Sequence, residues 1–160
     1  MSHSTISWMV LLRERGTQFA ERSTASGTLR AWALAPNVFA TQGHGHMTDE
    51  HCAFIEDYGE ARIREHDGKL YVFHDWMELT GYDTKTRLRL TAWAVAHRNA
   101  YEEVHIAARS RIIAMGVQVA NIALGGFMRA HNGIAALEVE LARVLRITGA
   151  PVPSRRPPAK

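Results

Sequence analysis

The side chains with the most capacity for chemistry are nine histidines, one cysteine and an Arg-Ser-Arg corner. His44, His46 and His51 cluster in GHGHMTDEH, and His74 stands beside Asp75. Two imidazoles at i and i+2, with a third on a following helix, are ligands that zinc or copper would accept. The spacing matches no established metal signature, however, and it reads as a polar loop with exposed imidazoles; no metal and no cofactor are expected. Cys52 is the only cysteine, so it forms no internal disulfide, and there is no CxxC pair. In the first turn of a helix its thiol pKa could be lowered, but His51 beside it points about 100° away around the helix. A Cys-His catalytic pair is therefore not expected, and Cys52 reads as a semi-buried small apolar residue.

Phosphate-binding signatures are absent. There is no GxGxxG, no GxxxxGK[ST] and no GxSxG elbow in the chain. The paired glycines Gly125-Gly126 follow a helix rather than open one. Ser110 stands between a strand and a helix, the place of a nucleophile, but lacks the flanking glycines and reads as an N-cap. Arg109-Ser110-Arg111 offers two guanidiniums at a helix N-terminus beyond the carboxyl end of a strand, a candidate seat for an anion or an acidic partner loop. The alternative is two solvated arginines flanking a cap.

These residues need elements to hold them, and the patterning supplies an α/β layout. LRAWAL and NVFATQG, split by Ala35-Pro36, read as a hairpin. Thr48 reads as the N-cap of a helix to about Glu65, with Asp49 and Glu50 in its first turn. KLYVFHDW is nearly continuous in apolar residues and suits a strand covered on both faces. ELTGYD reads as a loop, with Asp83 capping a helix from Thr84 to His97. EEVHIAAR reads as a strand, Arg111–Leu124 as a helix stopped by the glycine pair, FMRAH as a short strand, and the segment after Asn132-Gly133 as the last helix. ERSTASG reads as a loop. The expected order is β-β-α-β-α-β-α-β-α, a small mixed, mostly parallel sheet with one antiparallel hairpin. The expected divisions are an N-terminal segment 1–28 of uncertain structure, a domain 29–148, and a flexible Pro/Arg-rich tail 149–160. Helix 111–124 is apolar nearly all round, which points to burial on one side and a partner or second copy on the other. Ile113, Val117 and Leu124 are taken as interface residues.

The arrangement from HMTDEHCAFIEDYGEARIREHDGKLYVFHDWMELTGYDTKTRLRLTAWAVAHR through VHIAAR resembles the STAS superfamily (sulphate transporter and anti-sigma-factor antagonist domains). Within it the chain is most similar to the SpoIIAA-like branch. The resemblance covers about residues 29–146. It lies in the MTxE-type helix start at Met47 to Glu50, the strand closing on VFHDW, and the acid before the next helix. It implies a STAS-like fold and a non-enzymatic bacterial module that regulates or scaffolds by binding another protein, including partner switching. In antagonists of this superfamily an Asp-Ser pair at a helix start is phosphorylated by a kinase-like partner. Laid on this chain, Asp83 falls at the acid and Thr84 at the phosphosite; added phosphate there would change local charge by about −2. Lys85, Thr86 and Arg87 follow where the family carries glycine.

Composition bounds the remaining classes. The 160 residues are long enough for one domain with its own core. No apolar run approaches the roughly 20 residues of a bilayer span. MSHSTISWMVLLRERG has no basic leader and no A-x-A site, so no signal peptide and a cytoplasmic location are expected. The formal charge is +3, from 19 basic and 16 acidic residues. Arg155, Arg156 and Lys160 in the tail account for that excess, so the body is balanced and no nucleic-acid face is expected. The alternative to protein binding is a carrier or sensor of a small apolar, lipid or anionic ligand, with Trp76, Met77, Trp93 and Met115 lining its pocket.

Overall fold

The computed structural model describes residues 18–151. The expectations for residues 1–17 and for the tail from 152 onward lie outside them. Six strands form one sheet in sequential order: β1 (Phe19–Ser23), β2 (Gly27–Ala35), β3 (Val38–Met47), β4 (Leu70–Tyr82), β5 (Tyr101–Ala108) and β6 (Met128–His131). β1, β2 and β3 run antiparallel, whereas β3 to β6 pair in parallel. Four α-helices follow β3, β4, β5 and β6 in turn: α1 (Asp49–Glu65), α2 (Thr84–Ala96), α3 (Arg111–Ala123) and α4 (Ile134–Ile147). The α/β class and the mixed sheet are as expected. The sheet has one strand more than expected, because Phe19–Ser23, within the segment set apart as 1–28, pairs with β2 to make a second antiparallel hairpin.

Successive crossovers of one hand place α1, α2 and α3 on the same face of the sheet, and α4 covers the other. The two cores follow this division. Ile55, Trp93, Ile113 and Val117 pack on Val72, Trp76, Val104 and Ile106. Leu137, Leu141, Val144 and Leu145 of α4 pack on Trp32, Val38, Phe73 and Ala107. β4 is covered on both sides, so Val72, His74 and Trp76 face three helices while Phe73 and Asp75 face α4.

ELTGY, residues 78–82, is not a loop but the continuation of β4, and Asp83 after it is the N-cap of α2. Two one-residue irregularities in the pairing with β3 absorb the polar and glycine positions: Gln42 pairs with Asp75, His44 with Glu78, and Met47 with Tyr82. The first slip returns Leu79 to the three-helix face, where it joins the core. No helix among the described residues is long and apolar enough to cross a membrane.

Candidate functional site

Between the sheet and α2 and α3 lies a cavity of about 120 Å³. Val72, His74 and Trp76 of β4 line one wall, with Leu90 and Trp93 of α2 and Val117 of α3 opposite. Two glycines allow this close layering. Gly116 of α3 leaves room for Tyr82, whose hydroxyl donates to the Ile112 carbonyl at 2.8 Å. Gly59 of α1 receives the edge of Trp93; a Cβ there would stand 2.7 Å from Trp93 Cη2 and 3.2 Å from Tyr101 Oη.

The lining is mostly apolar, with His74, Thr86, Arg87 and Thr91 among its polar residues. His74 is buried, and burial pulls its imidazole down to about 3, so the ring is neutral. Trp76 Nε1–H donates to Thr41 Oγ1 at 3.2 Å, and the Thr41 hydroxyl lies 2.7 Å from His74 Nδ1. A proton donated from Thr41 to Nδ1 completes that chain and leaves the histidine proton on Nε2. Two further polar atoms, on Tyr101 and Trp93, are buried without a partner among the described residues. Tyr101 is only 4% exposed, and neither its hydroxyl nor Trp93 Nε1 has a hydrogen-bond partner among the described residues. Burial, with the charge of Glu60 adding to it, pushes the Tyr101 phenol well above its ordinary range, so the group is a neutral O–H.

A second polar cluster sits at the junction of β5, β6 and α4. His105 is fully buried and stacks on Phe73 at 4.7 Å and 3°. Its Nε2 lies 2.8 Å from Glu103 Oε2, and its Nδ1 lies 3.0 Å from His131 Nε2. Burial alone would raise the Glu103 carboxyl, but hydrogen bonds from His105 and Arg143 outweigh it and hold the group below its ordinary range. Burial keeps His105 and His131 below the ordinary imidazole value. Glu103, His105 and Glu140 bring ligand atoms within 4.8 Å of one another. Arg143 already bridges the two carboxylates, its Nη2 standing 2.8 Å from Glu140 Oε2 and bonded to Glu103. The cluster is thereby charge-compensated from within, and it ties the edge strand β6 and α4 to β5.

The sequence-derived candidates are dispersed. His51 is buried: its Nδ1 accepts the Thr48 backbone N–H at 3.0 Å and its Nε2 lies 3.1 Å from the Gly27 carbonyl oxygen. His46 Nε2 lies 2.9 Å from Asp83 Oδ1, and His44 is exposed, so the three histidines do not converge. Asp83 stands at the N-cap of α2 but makes no side-chain cap bond; its carboxylate turns to His46 instead, and Thr84 is exposed beside it. Ser110 caps α3, its Oγ accepting from Ile113 N at 3.5 Å. Arg109 pairs with Glu78 at 3.6 Å and Arg111 is exposed, the arrangement of solvated arginines around a cap.

Ile113, Val117 and Leu124, taken as interface residues, are instead buried against the sheet and line the cavity. The exposed face of α3 is a different stripe, Ile112, Met115, Val119 and Ile122, from 52% to 82% exposed. Of the expected pocket residues, Trp76 and Trp93 line the cavity. Met77 packs toward α4 on the opposite face, and Met115 is on the outer stripe. Tyr101, Glu103, His105 and His131 drew no functional expectation. The alternation Glu103-Val104-His105 on a strand was the available signal that two polar groups share a face.

No protein-family model matches the sequence, and no curated protein matches it. The structure is similar to the crystal structure of an uncharacterised DUF3478-family protein with a SpoIIAA-like fold from Shewanella loihica PV-4. The TM-score is 0.53 at 14% identity, over 78% of this chain and 92% of that one. The mixed sheet, its sequential βα crossovers and this match make the fold SpoIIAA-like.

Proposed function

We propose that the protein binds a small, predominantly apolar molecule in the cavity beneath α2 and α3, and acts as a carrier or sensor of it. The observation that carries this reading is the cavity itself, about 120 Å³ between the sheet and α2 and α3 and lined mostly by apolar side chains such as Val72, Trp76, Leu90 and Val117. The cavity is comparable to the engineered sites of about 150 Å³ that take benzene, so the compact ligand is of that size. Native mass spectrometry of the full chain, purified without denaturation, tests the reading together with titration by a compact cyclic hydrocarbon read by tryptophan fluorescence. A retained small mass or saturable quenching supports it; an empty protein whose fluorescence does not respond would refute it.

A second reading, docking of another protein as in STAS-type regulatory modules, is favoured by the outer stripe of α3. Four large apolar side chains in one helical row are more than a solvated face requires. Sedimentation velocity of wild type and Met115→Glu over a hundredfold concentration range examines whether that stripe pairs with a second copy. Concentration-dependent association lost in the variant supports this reading, and a wild type that stays monomeric removes the homodimer. Phosphorylation of Thr84 would act at the opening of α2, on an exposed hydroxyl. Incubation with a kinase-like partner and intact-mass measurement would detect it.

A further inference from the structure

We propose that His74 is the polar anchor of the cavity, its Nε2–H donating to a neutral oxygen carried by the otherwise apolar ligand. The inference rests on the cavity reading above and specifies the class of ligand.

The sheet builds this anchor. His74 lies in the middle of β4, opposite Thr41 of β3 and Ile106 of β5, and its ring lines the cavity. The Thr41 hydroxyl fixes the protons of the ring. Its oxygen accepts from Trp76 Nε1–H at 3.2 Å, and its own proton goes to His74 Nδ1, 2.7 Å away. An indole nitrogen only donates, so the chain runs one way, from Trp76 through Thr41 to His74. A neutral imidazole that accepts at Nδ1 carries its proton on Nε2. The ring therefore presents a donor to the cavity, not a base.

Nε2 is the open end of that chain. It makes no hydrogen bond to any described residue, although His74 is only 8% exposed. Nor is it sealed in: the unpartnered atoms closed off from solvent include Trp93 Nε1 and Tyr101 Oη but not this nitrogen. Interiors leave few buried donors unmet, and the acceptor for this one comes from whatever fills the space its ring lines.

Charge at the site selects the kind of acceptor. Burial is the one influence acting on the His74 imidazole, and no charged group contributes to it. A carboxylate on Nε2 would be desolvated without a countercharge, and an ammonium group would meet another donor. Arg87, the charged residue of the lining, has its stem against Gly116 beside Tyr82, where α2 meets α3. A compact ketone, ester or ether, with its apolar body against walls such as Leu90 and Val117, meets these conditions.

The test uses the full chain with cyclohexanone, methylenecyclohexane and cyclohexanecarboxylate. The first two differ only in exchanging the carbonyl oxygen for a methylene. Each is titrated into wild type and His74→Leu, read by tryptophan fluorescence. The ratio of ketone to alkene affinity is expected to fall about tenfold in His74→Leu, the worth of one hydrogen bond. The carboxylate is expected to bind wild type more weakly than the ketone. Heteronuclear NMR of the wild-type imidazoles is a second readout, and it decides even where His74→Leu does not fold. His74 is expected to hold its proton on Nε2 in the ligand-free protein, and that resonance is expected to move downfield with the ketone and not with the alkene. An unchanged ratio, a proton on Nδ1, a resonance that does not distinguish ketone from alkene, or tightest binding by the carboxylate overturns the anchor and leaves the cavity reading intact. Failure of all three probes to bind wild type overturns both.

Discussion

Acidification probes the buried His74, because the imidazole has no carboxylate near it to offset its desolvation. Burial alone lowers it, from 6.5 to about 3. The sign follows from proton linkage. Between those two values the unfolded chain binds a proton that the folded chain does not, so stability falls as pH drops below 6.5. The loss from this one group is about 2 kcal/mol between pH 7 and pH 5, and approaches about 5 kcal/mol below pH 3. Other groups titrate in the same range. His105 and His131 are also lowered, and Glu103 is held low, so all three add to the acid loss. Asp75 is raised by burial and works in the opposite direction. The comparison that isolates His74 is therefore wild type against His74→Asn, whose side-chain oxygen can still accept from Thr41. Urea unfolding followed by tryptophan fluorescence at pH 7, 6, 5 and 4 gives the two curves. His74→Asn is expected to lose about 2 kcal/mol less than wild type between pH 7 and pH 5. Parallel curves, agreeing in slope to within about 0.5 kcal/mol, would show that His74 is hydrated or paired in solution and would sink the buried, neutral assignment.

Three further perturbations bear on the same architecture. Gly116→Ala places a methyl group against the Tyr82 ring and hydroxyl, and is expected to lower unfolding stability by about 2 kcal/mol, with part regained in the double variant with Tyr82→Phe; a neutral single variant would mean that α3 and Tyr82 are not packed as described. Cys52 is fully buried, and burial pushes its thiol up to about 12, so a disulfide reagent at pH 8 should label it far more slowly than free cysteine and rapidly once urea unfolds the chain; fast labelling of folded protein contradicts that placement. His105→Leu removes the hydrogen bonds to Glu103 and His131 and is expected to cost about 2–3 kcal/mol in chemical denaturation, with amide exchange accelerated first in β6; uniform acceleration across the sheet would argue that the cluster does not anchor that edge.

What could be read from the sequence, and what could not, divides along physical lines. Local chemistry was legible. Thr48 before Asp49 and Glu50 announces α1, and Gly125-Gly126 ends α3 with both glycines at positive φ. β1 escaped because Phe19–Ser23 is an almost wholly exposed edge strand with no apolar alternation to mark it. The end of β4 escaped because its two pairing irregularities break the period on which strand reading depends.

The candidate site was hidden for a different reason. In a helix that is apolar on both sides, hydrophobicity cannot say which side is in. α3 therefore offered Ile113, Val117 and Leu124 as readily for an interface as Ile112, Met115, Val119 and Ile122, and only the position of the sheet decides between them. The cavity needs still more distant information. Gly59, Trp93 and Tyr101 lie on α1, α2 and β5 and meet only when two crossovers stack on one face. A missing side chain on α1 thus determines how closely α2 can approach and where the two unpaired donors stand. That dependence gives its own prediction. Gly59→Ala should perturb the resonances of the Trp93 indole and the Tyr101 ring together, leaving α4 and the core beneath it undisturbed. A variant that shifts resonances across both faces would mean the glycine serves the fold as a whole, and the link between α1 and the donors would be lost.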